Sequence, residues 1–214
     1  HSFPTRRSSD LLNLNRFQMK EGKAMIEIKD LNIPYVDKKI SMNILKEYNL
    51  FTGDNGNGKT LLLDYISGVK KAKRTVIKGN ESIIYINQNI YFSDRLSGMD
   101  FLKFSYGLDG KKSIQSFYQL SDKILKREDI DKLLKKQWGM LSGGEKKFLY
   151  ALILMSLERE WYILDEPFAF VDKKRKKMLY KIIDIKISED KGIILTTHEE
   201  DEVVLKSVSK VFEI

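Results

Sequence analysis

Residues 53–60 read Gly53-Asp54-Asn55-Gly56-Asn57-Gly58-Lys59-Thr60. Two glycines with four residues between them, Gly53 and Gly58, then a lysine and a hydroxyl residue, fit a phosphate-binding loop in full. Glycine enters positive φ at little cost, so successive backbone N–H groups can converge on phosphate oxygens. The flanks supply the context that such a loop needs. Residues 47–52 read as a strand, and the apolar cluster Leu61, Leu62, Leu63, Tyr65 and Ile66 reads as a helix. A helix that begins near Lys59 aims the positive end of its dipole at the same anion. In this reading Lys59 supplies a charge for the β and γ phosphates of a nucleotide, and the Thr60 hydroxyl a ligand for Mg²⁺. A chance match to a glycine-rich turn is the alternative, and the strand before and helix after argue against it.

Outward from this loop, strands come first. Residues 26–29 alternate apolar with polar, the period of a half-buried strand, and a second strand lies within 39–45. Residues 82–87 form another, ending at Gln88. After residue 141 an apolar helix runs to Met155, residues 161–164 are a buried strand, 174–187 a helix with Met178, Leu179, Ile182 and Ile183 inward, and 193–196 a strand. Strands alternating with helices predict an α/β domain on a mainly parallel core sheet, with an N-terminal antiparallel β part. Residues 92–140 are richer in Lys, Asp and Ser, and place Phe101, Leu102 and Ser105, then Ile130, Leu133 and Leu134, at helical spacing. They are expected to form a small helical subdomain within a single domain over 25–214.

Two further stretches carry chemistry. Trp161-Tyr162-Ile163-Leu164-Asp165-Glu166 puts two carboxylates at the end of an apolar strand. Ligands collect at the carboxyl ends of strands in an open parallel sheet, which places Asp165 for Mg²⁺, through water, and Glu166 for polarising an attacking water. Taken alone, an ordinary acidic loop explains the pair equally well. Leu141-Ser142-Gly143-Gly144-Glu145 begins with a normal helix N-cap. Its two glycines go further, since they allow the backbone close approach to a ligand at a helix end suited to anions.

With these motifs in this order, residues 25–214 resemble the ATP-binding cassette (ABC) ATPases. The resemblance implies a P-loop NTPase fold of ABC type, ATP and Mg²⁺ as cofactors, and hydrolysis of ATP to ADP and phosphate. It assigns Gly53, Asp54, Asn55, Gly56, Asn57, Gly58, Lys59, Thr60 and Leu61 to the nucleotide. It makes Gln88 the Q-loop glutamine that touches Mg²⁺, Asp172 the D-loop aspartate, and His198 the switch histidine on the γ-phosphate. Lys59, Glu166 and His198 form the implied catalytic set, and Thr60, Gln88 and Asp165 the metal set.

The same resemblance implies that one chain holds two half-sites. ATP on the 53–60 loop is to be closed by Ser142, Gly143 and Gly144 of a second cassette, in a homo- or heterodimer. Residues 96–102 and 106–108 look like the stretch after the Q-loop in bacterial exporter cassettes. That implies separate transmembrane permease subunits, received between Gln88 and the helical insert, and a place on the cytoplasmic face of the membrane. The rival is a soluble cassette ATPase acting on DNA or ribosomes. Such proteins generally carry two cassettes or a long coiled-coil insertion, whereas here one cassette has 52 residues between Gln88 and Leu141.

Departures from the family pattern are few. Leu61 stands where a second hydroxyl is usual, Glu145 replaces a commoner glutamine, and Lys147 a frequent arginine. Residues 47–52 are polar for a buried strand. Tyr35 is the best candidate for stacking on adenine.

Composition narrows the classes. The chain of 214 residues is 42% hydrophobic and has no cysteine, so it can bury a core and carries no disulfide frame or thiolate metal site. Its longest apolar run, residues 148–155, is far short of the roughly 20 residues of a membrane span. These features are expected of a soluble cytoplasmic protein. The net charge of +8 fits a nucleic acid or an anionic membrane leaflet as neighbour. The basic run 173–177 lacks interleaved aromatics and continues into a buried helix face, so no specific nucleic-acid partner is expected. Residues 1–11 look like the translation of a sequencing-library adapter, and Lys20-Glu21-Gly22 is encodable by a ribosome-binding sequence ahead of Met25. Residues 1–24 are therefore expected to be a non-native or disordered leader, with Met25 the natural start.

Overall fold

The computed structural model describes residues 25–34, 39–54, 56–73, 76–197 and 208–214. The expectations for residues 1–24, Tyr35, Asn55 and His198 lie outside them.

Two sheets form the frame. Strands β1 (Met25–Asn32), β2 (Lys39–Leu45) and β4 (Ile77–Lys78) make an antiparallel sheet in the order β2-β1-β4. Strands β3 (Tyr48–Thr52), β5 (Ile83–Ile86), β6 (Trp161–Asp165), β7 (Gly192–Thr196) and β8 (Lys210–Glu213) make a parallel sheet ordered β5-β6-β7-β3-β8. Among the described residues six helices complete the domain. Helix α1 (Lys59–Ser67) follows β3, and α2 (Gly98–Leu108), α3 (Gln115–Ser121) and α4 (Arg127–Lys135) fall in the expected helical stretch. Helices α5 (Gly143–Ser156) and α6 (Lys173–Ser188) flank β6 in sequence. The predicted combination of parallel core sheet, N-terminal antiparallel part and helical segment is the architecture observed.

Alternate residues of each core strand feed different cores, because strand side chains point to opposite faces. Tyr162 and Leu164 of β6 join Tyr48, Leu50, Ile193 and Leu195 in a cluster under α2–α6. Trp161 and Ile163 join Phe51 and Ile194 in a second cluster against β1, β2 and α1. Residues 161–164 are all 1% exposed or less, and each such side chain is worth about 1.5–3 kcal/mol on burial. A one-residue slip would exchange the two faces and forfeit packing on both, so the register is strongly specified. Gly192 permits this register at the start of β7, since a Cβ there would stand 2.2 Å from the Trp161 ring.

The polar strand β3 is buried nonetheless, and Asn49 shows how. At 0% exposure its amide nitrogen lies 3.0 Å from the Leu45 carbonyl, 2.9 Å from that of Glu47 and 3.1 Å from that of Ile193. The side chain thereby pins the turn before β3 to the neighbouring strand. Strand β8 has no counterpart in the sequence reading. It is four residues long and, among the described residues, pairs only with β3, where Phe212 meets Phe51 edge-on at 5.3 Å between ring centroids.

Candidate functional site

The parallel sheet brings the carboxyl ends of β3, β5 and β6 to one edge, with β7 between β6 and β3, and the phosphate loop, Gln88, Asp165 and Glu166 lie at or just after those ends. After β3 the chain turns through Gly53 (φ 141°), Gly56 (φ 89°) and Gly58 (φ 85°), backbone conformations that side chains disfavour. Gly58 is the N-cap of α1 with no side-chain cap, which leaves the first N–H groups of that helix to point toward a ligand. Lys59 is 7% exposed, and its ammonium donates to the carbonyls of Gly53 at 2.6 Å and Asp54 at 2.8 Å. The charge is thus held inside the loop by two neutral acceptors.

Residues 210–214 buttress the loop, a role absent from the sequence reading. The Ile214 N–H donates to the Thr52 carbonyl at 3.0 Å, and the Asn57 side-chain amide donates to the Ile214 carbonyl at 3.3 Å. A Cβ on Gly53 would lie 2.6 Å from that same carbonyl oxygen. Leu61 packs, half-buried, among the apolar residues of the α1 side.

Asp165 is the centre of a hydroxyl cluster. It is 2% exposed and accepts from Thr60 Oγ1 at 3.1 Å, Tyr85 OH at 3.3 Å and Thr196 Oγ1 at 2.6 Å. Tyr85 and Thr196 were not foreseen; they arrive on β5 and β7, the two strands that flank β6. Burial, and then the nearby Asp165 and Asp64 carboxylates, push the Tyr85 phenol well above the ordinary tyrosine range, so it stays a donor. No cation pairs with Asp165 among the described residues. A buried carboxylate supported by hydroxyls alone suits a hard cation.

Glu166 takes a left-handed backbone, φ 49°, rare for a residue with a side chain. Contacts on its amide, carbonyl and carboxylate hold it there. Its N–H donates to Thr196 Oγ1 at 3.1 Å, its carbonyl accepts from Lys147 Nζ at 3.3 Å, and its carboxylate accepts from Gln88 Nε2 at 2.8 Å. Gln88 therefore meets Glu166 directly. Beside them a cavity of about 10 Å³, lined by Gln88, Lys147, Tyr150 and Glu166, has room for one water.

Ser142 sits elsewhere. It caps α5 in a reciprocal capping box: the Glu145 N–H donates to its hydroxyl at 3.2 Å, and its own N–H donates to the Glu145 carboxylate at 2.9 Å. Glu145 also pairs with Lys136 at 3.0 Å and Arg175 at 3.3 Å. Burial works against its charge, yet the Ser142 N–H, Lys136 and Arg175 together hold its carboxyl below the usual range. Asp172 caps α6 through the Arg175 N–H at 3.0 Å, and the Arg175 guanidinium holds its carboxyl low. Gly144 is buried beside Asp172, with room for a Cβ only 3.5 Å from its carboxylate. So the structure assembles two groups. One contains Lys59, Thr60, Gln88, Asp165 and Glu166; the other contains Ser142, Gly143, Gly144 and Asp172. Among the described residues, no hydrogen bond joins residues 142–144 to the 53–60 loop.

The chain matches the ABC transporter family over residues 38–169, a span that holds both groups apart from Asp172. It belongs to the ABC transporter family. The cassette binds and hydrolyses ATP, as this family does. It is 29% identical over 188 residues to the zinc import ATP-binding protein ZnuC of Anaplasma marginale, covering 83% of this chain and 74% of that one. The energy-coupling factor transporter ATP-binding protein EcfA1 of Mycoplasma mobile is 28% identical over 205 residues, covering 85% and 74%. Among solved structures, an ATP-binding subunit of an ABC transporter superposes with a TM-score of 0.73 at 20% identity, covering 89% of this cassette and 85% of that chain, which shows the shared fold. No helix among the described residues is long and apolar enough to cross a membrane.

Proposed function

We propose that this cassette is the ATPase subunit of a membrane transporter, working as a pair whose two nucleotides lie between copies. The observation that carries the reading is the division of the site residues into two groups. Lys59 and the loop amides would hold the phosphates, with Asp54, Asn55, Asn57 and Leu61 lending backbone. Thr60, Asp165 and Gln88 would hold Mg²⁺, which when bound neutralises charge on the β and γ phosphates. Among the described residues no group of three or more His, Cys, Asp or Glu is built to hold a metal by itself. Glu166 would take the attacking water's proton, kept in place by Gln88 and Thr196. His198, which lies outside the described residues, would contact the γ-phosphate.

Ser142, Gly143 and Gly144 of a second cassette would close over the γ-phosphate, with Asp172 beside them. Phosphoryl transfer is accelerated by positioning and charge stabilisation, so turnover should require that closure. ATP would shut the pair and hydrolysis release it. Residues 92–140, taken as a helical subdomain, would with the Gln88 segment receive a permease subunit at the cytoplasmic membrane face. Tyr91 is 90% exposed there, and Phe104, 55% exposed, lies 6.3 Å from Phe92 between ring centroids, which gives such a partner apolar surface to cover. The likeness of residues 96–102 and 106–108 to exporter cassettes favours export. Uptake is the second reading, favoured by the names of the zinc import and energy-coupling relatives; movement of cargo into or out of inverted vesicles separates the two.

The test is Glu166→Gln with ATP and Mg²⁺, read by size-exclusion chromatography with light scattering. The proposal expects a stable dimer that disperses without nucleotide. A monomer at every ATP concentration overturns it.

A further inference from the structure

A cleft of about 300 Å³ opens between α4, α5 and α6, away from the Asp165 cluster. Its floor is apolar: Leu125, Leu133, Phe148 and Met178. Its rim is basic. Lys132, Lys136, Lys174 and Arg175 face Asp129 and Glu145 across the cleft, and Arg175 is also paired with Asp172, which leaves a surplus of one cation. Lys136 and Arg175 share Glu145, and Lys132 touches Asp129 at 3.8 Å on the surface. Lys174 has no ion-pair partner among the described residues.

We infer that this cleft binds a small aromatic anion, its ring on the Phe148–Met178 floor and its acid group among the rim cations. The size is at the lower end for ligand pockets, and an apolar body with a few converging polar groups is their common form. Charge complementarity selects the anion, and the enclosure by three helices selects a compact body over an extended peptide. Such an occupant has a mechanical consequence. Lys136 and Arg175 are the two cations that steady Glu145, and Glu145 closes the capping box on Ser142. An acid group that draws them away loosens the α5 start, so occupancy slows ATP turnover. This second half rests on the role proposed for Ser142, whereas binding does not.

The probe is 8-anilino-1-naphthalenesulfonate, an aryl sulfonate that fluoresces on burial, titrated into the full chain with and without ATP and Mg²⁺. One saturable site is expected in the nucleotide-free chain, weakened by salt; ATP and Mg²⁺ should weaken it only as far as closure of the pair opposes the same loosening. The double charge reversal Lys132→Glu with Lys174→Glu changes two exposed side chains outside the nucleotide site. It is expected to weaken binding about tenfold, while Lys70→Glu on a distant surface leaves it unchanged. Absence of saturable binding in the nucleotide-free chain, or equal binding by the double variant, overturns the site. For the mechanical half, saturating probe should slow turnover in the native sequence and not in the double variant. Equal slowing in both overturns the link to Glu145. If Ser142→Arg keeps normal turnover while the probe still binds as expected, the role of Ser142 has failed and the cleft stands.

Discussion

Replacing Lys59 with methionine keeps the length of a side chain that is 7% exposed but removes its only donor. In the folded chain this costs two hydrogen bonds, to Gly53 O at 2.6 Å and Asp54 O at 2.8 Å. At about 1 kcal/mol net each, stability falls by roughly 2 kcal/mol. For a domain of this size that is a loss of about 4–8 °C in Tm. The effect on ATP is a difference of two terms. In the native chain the ammonium exchanges those two carbonyls for phosphate oxygens, and bonds to a charged acceptor are worth about 1.5–3 kcal/mol each. Gain minus loss leaves about 1–4 kcal/mol, so a central value near 2.5 kcal/mol weakens ATP about seventyfold. Calorimetric titration with ATP and Mg²⁺ at fixed salt measures this, and a thermal scan of the same sample separates lost affinity from lost fold. An unchanged Kd in a folded variant refutes the placement of Lys59 on the phosphates.

Other consequences follow from the same contacts. Asn49→Ala removes the side-chain donor shared by the carbonyls of Leu45, Glu47 and Ile193, of which Leu45 and Glu47 keep a backbone N–H, so urea denaturation should show a loss of about 1–2 kcal/mol. Glu145→Gln tests the cap through pH. The folded-state value of Glu145 is depressed below the ordinary 4.5, so its contribution is present above that value and is lost as pH falls through the lower folded value. Native chain and variant should therefore differ by about 1 kcal/mol near pH 7 and converge only as pH falls below 4.5 and on through the lower folded value, as read by urea midpoints. Ser142→Arg should leave ATP affinity of the isolated chain unchanged and abolish turnover, since the residue belongs to the closing half of a neighbour's site; normal phosphate release would remove that role.

The legible parts of this protein are those whose physics is local. The glycine turn at 53–58 is written in residues that alone tolerate its φ angles, and Asp165 and Glu166 are placed by the apolar strand that ends at them. Ser142 and Glu145 form a capping box within four residues. What escaped the sequence depends on strand order. Tyr85 and Thr196 reach Asp165 only because β5 and β7 flank β6, a neighbourhood that adjacent motifs do not encode. Lys147 reaches the Glu166 carbonyl across 19 residues of chain. Strand β8 was missed because four residues flanked by charges carry little pattern, although their partner β3 leads straight into the phosphate loop. The polarity of β3 looked out of place for a related reason: the acceptors of Asn49 lie partly on another strand.

The most direct test of the paired site is a structure of the Glu166→Gln chain with ATP and Mg²⁺ trapped. Each triphosphate should contact Lys59 and Thr60 of one copy, with the Ser142 hydroxyl and Gly144 N–H of its neighbour within hydrogen-bonding reach of the γ-phosphate. A triphosphate wrapped by a single chain, with every copy of Ser142 remote from phosphate, would contradict the account.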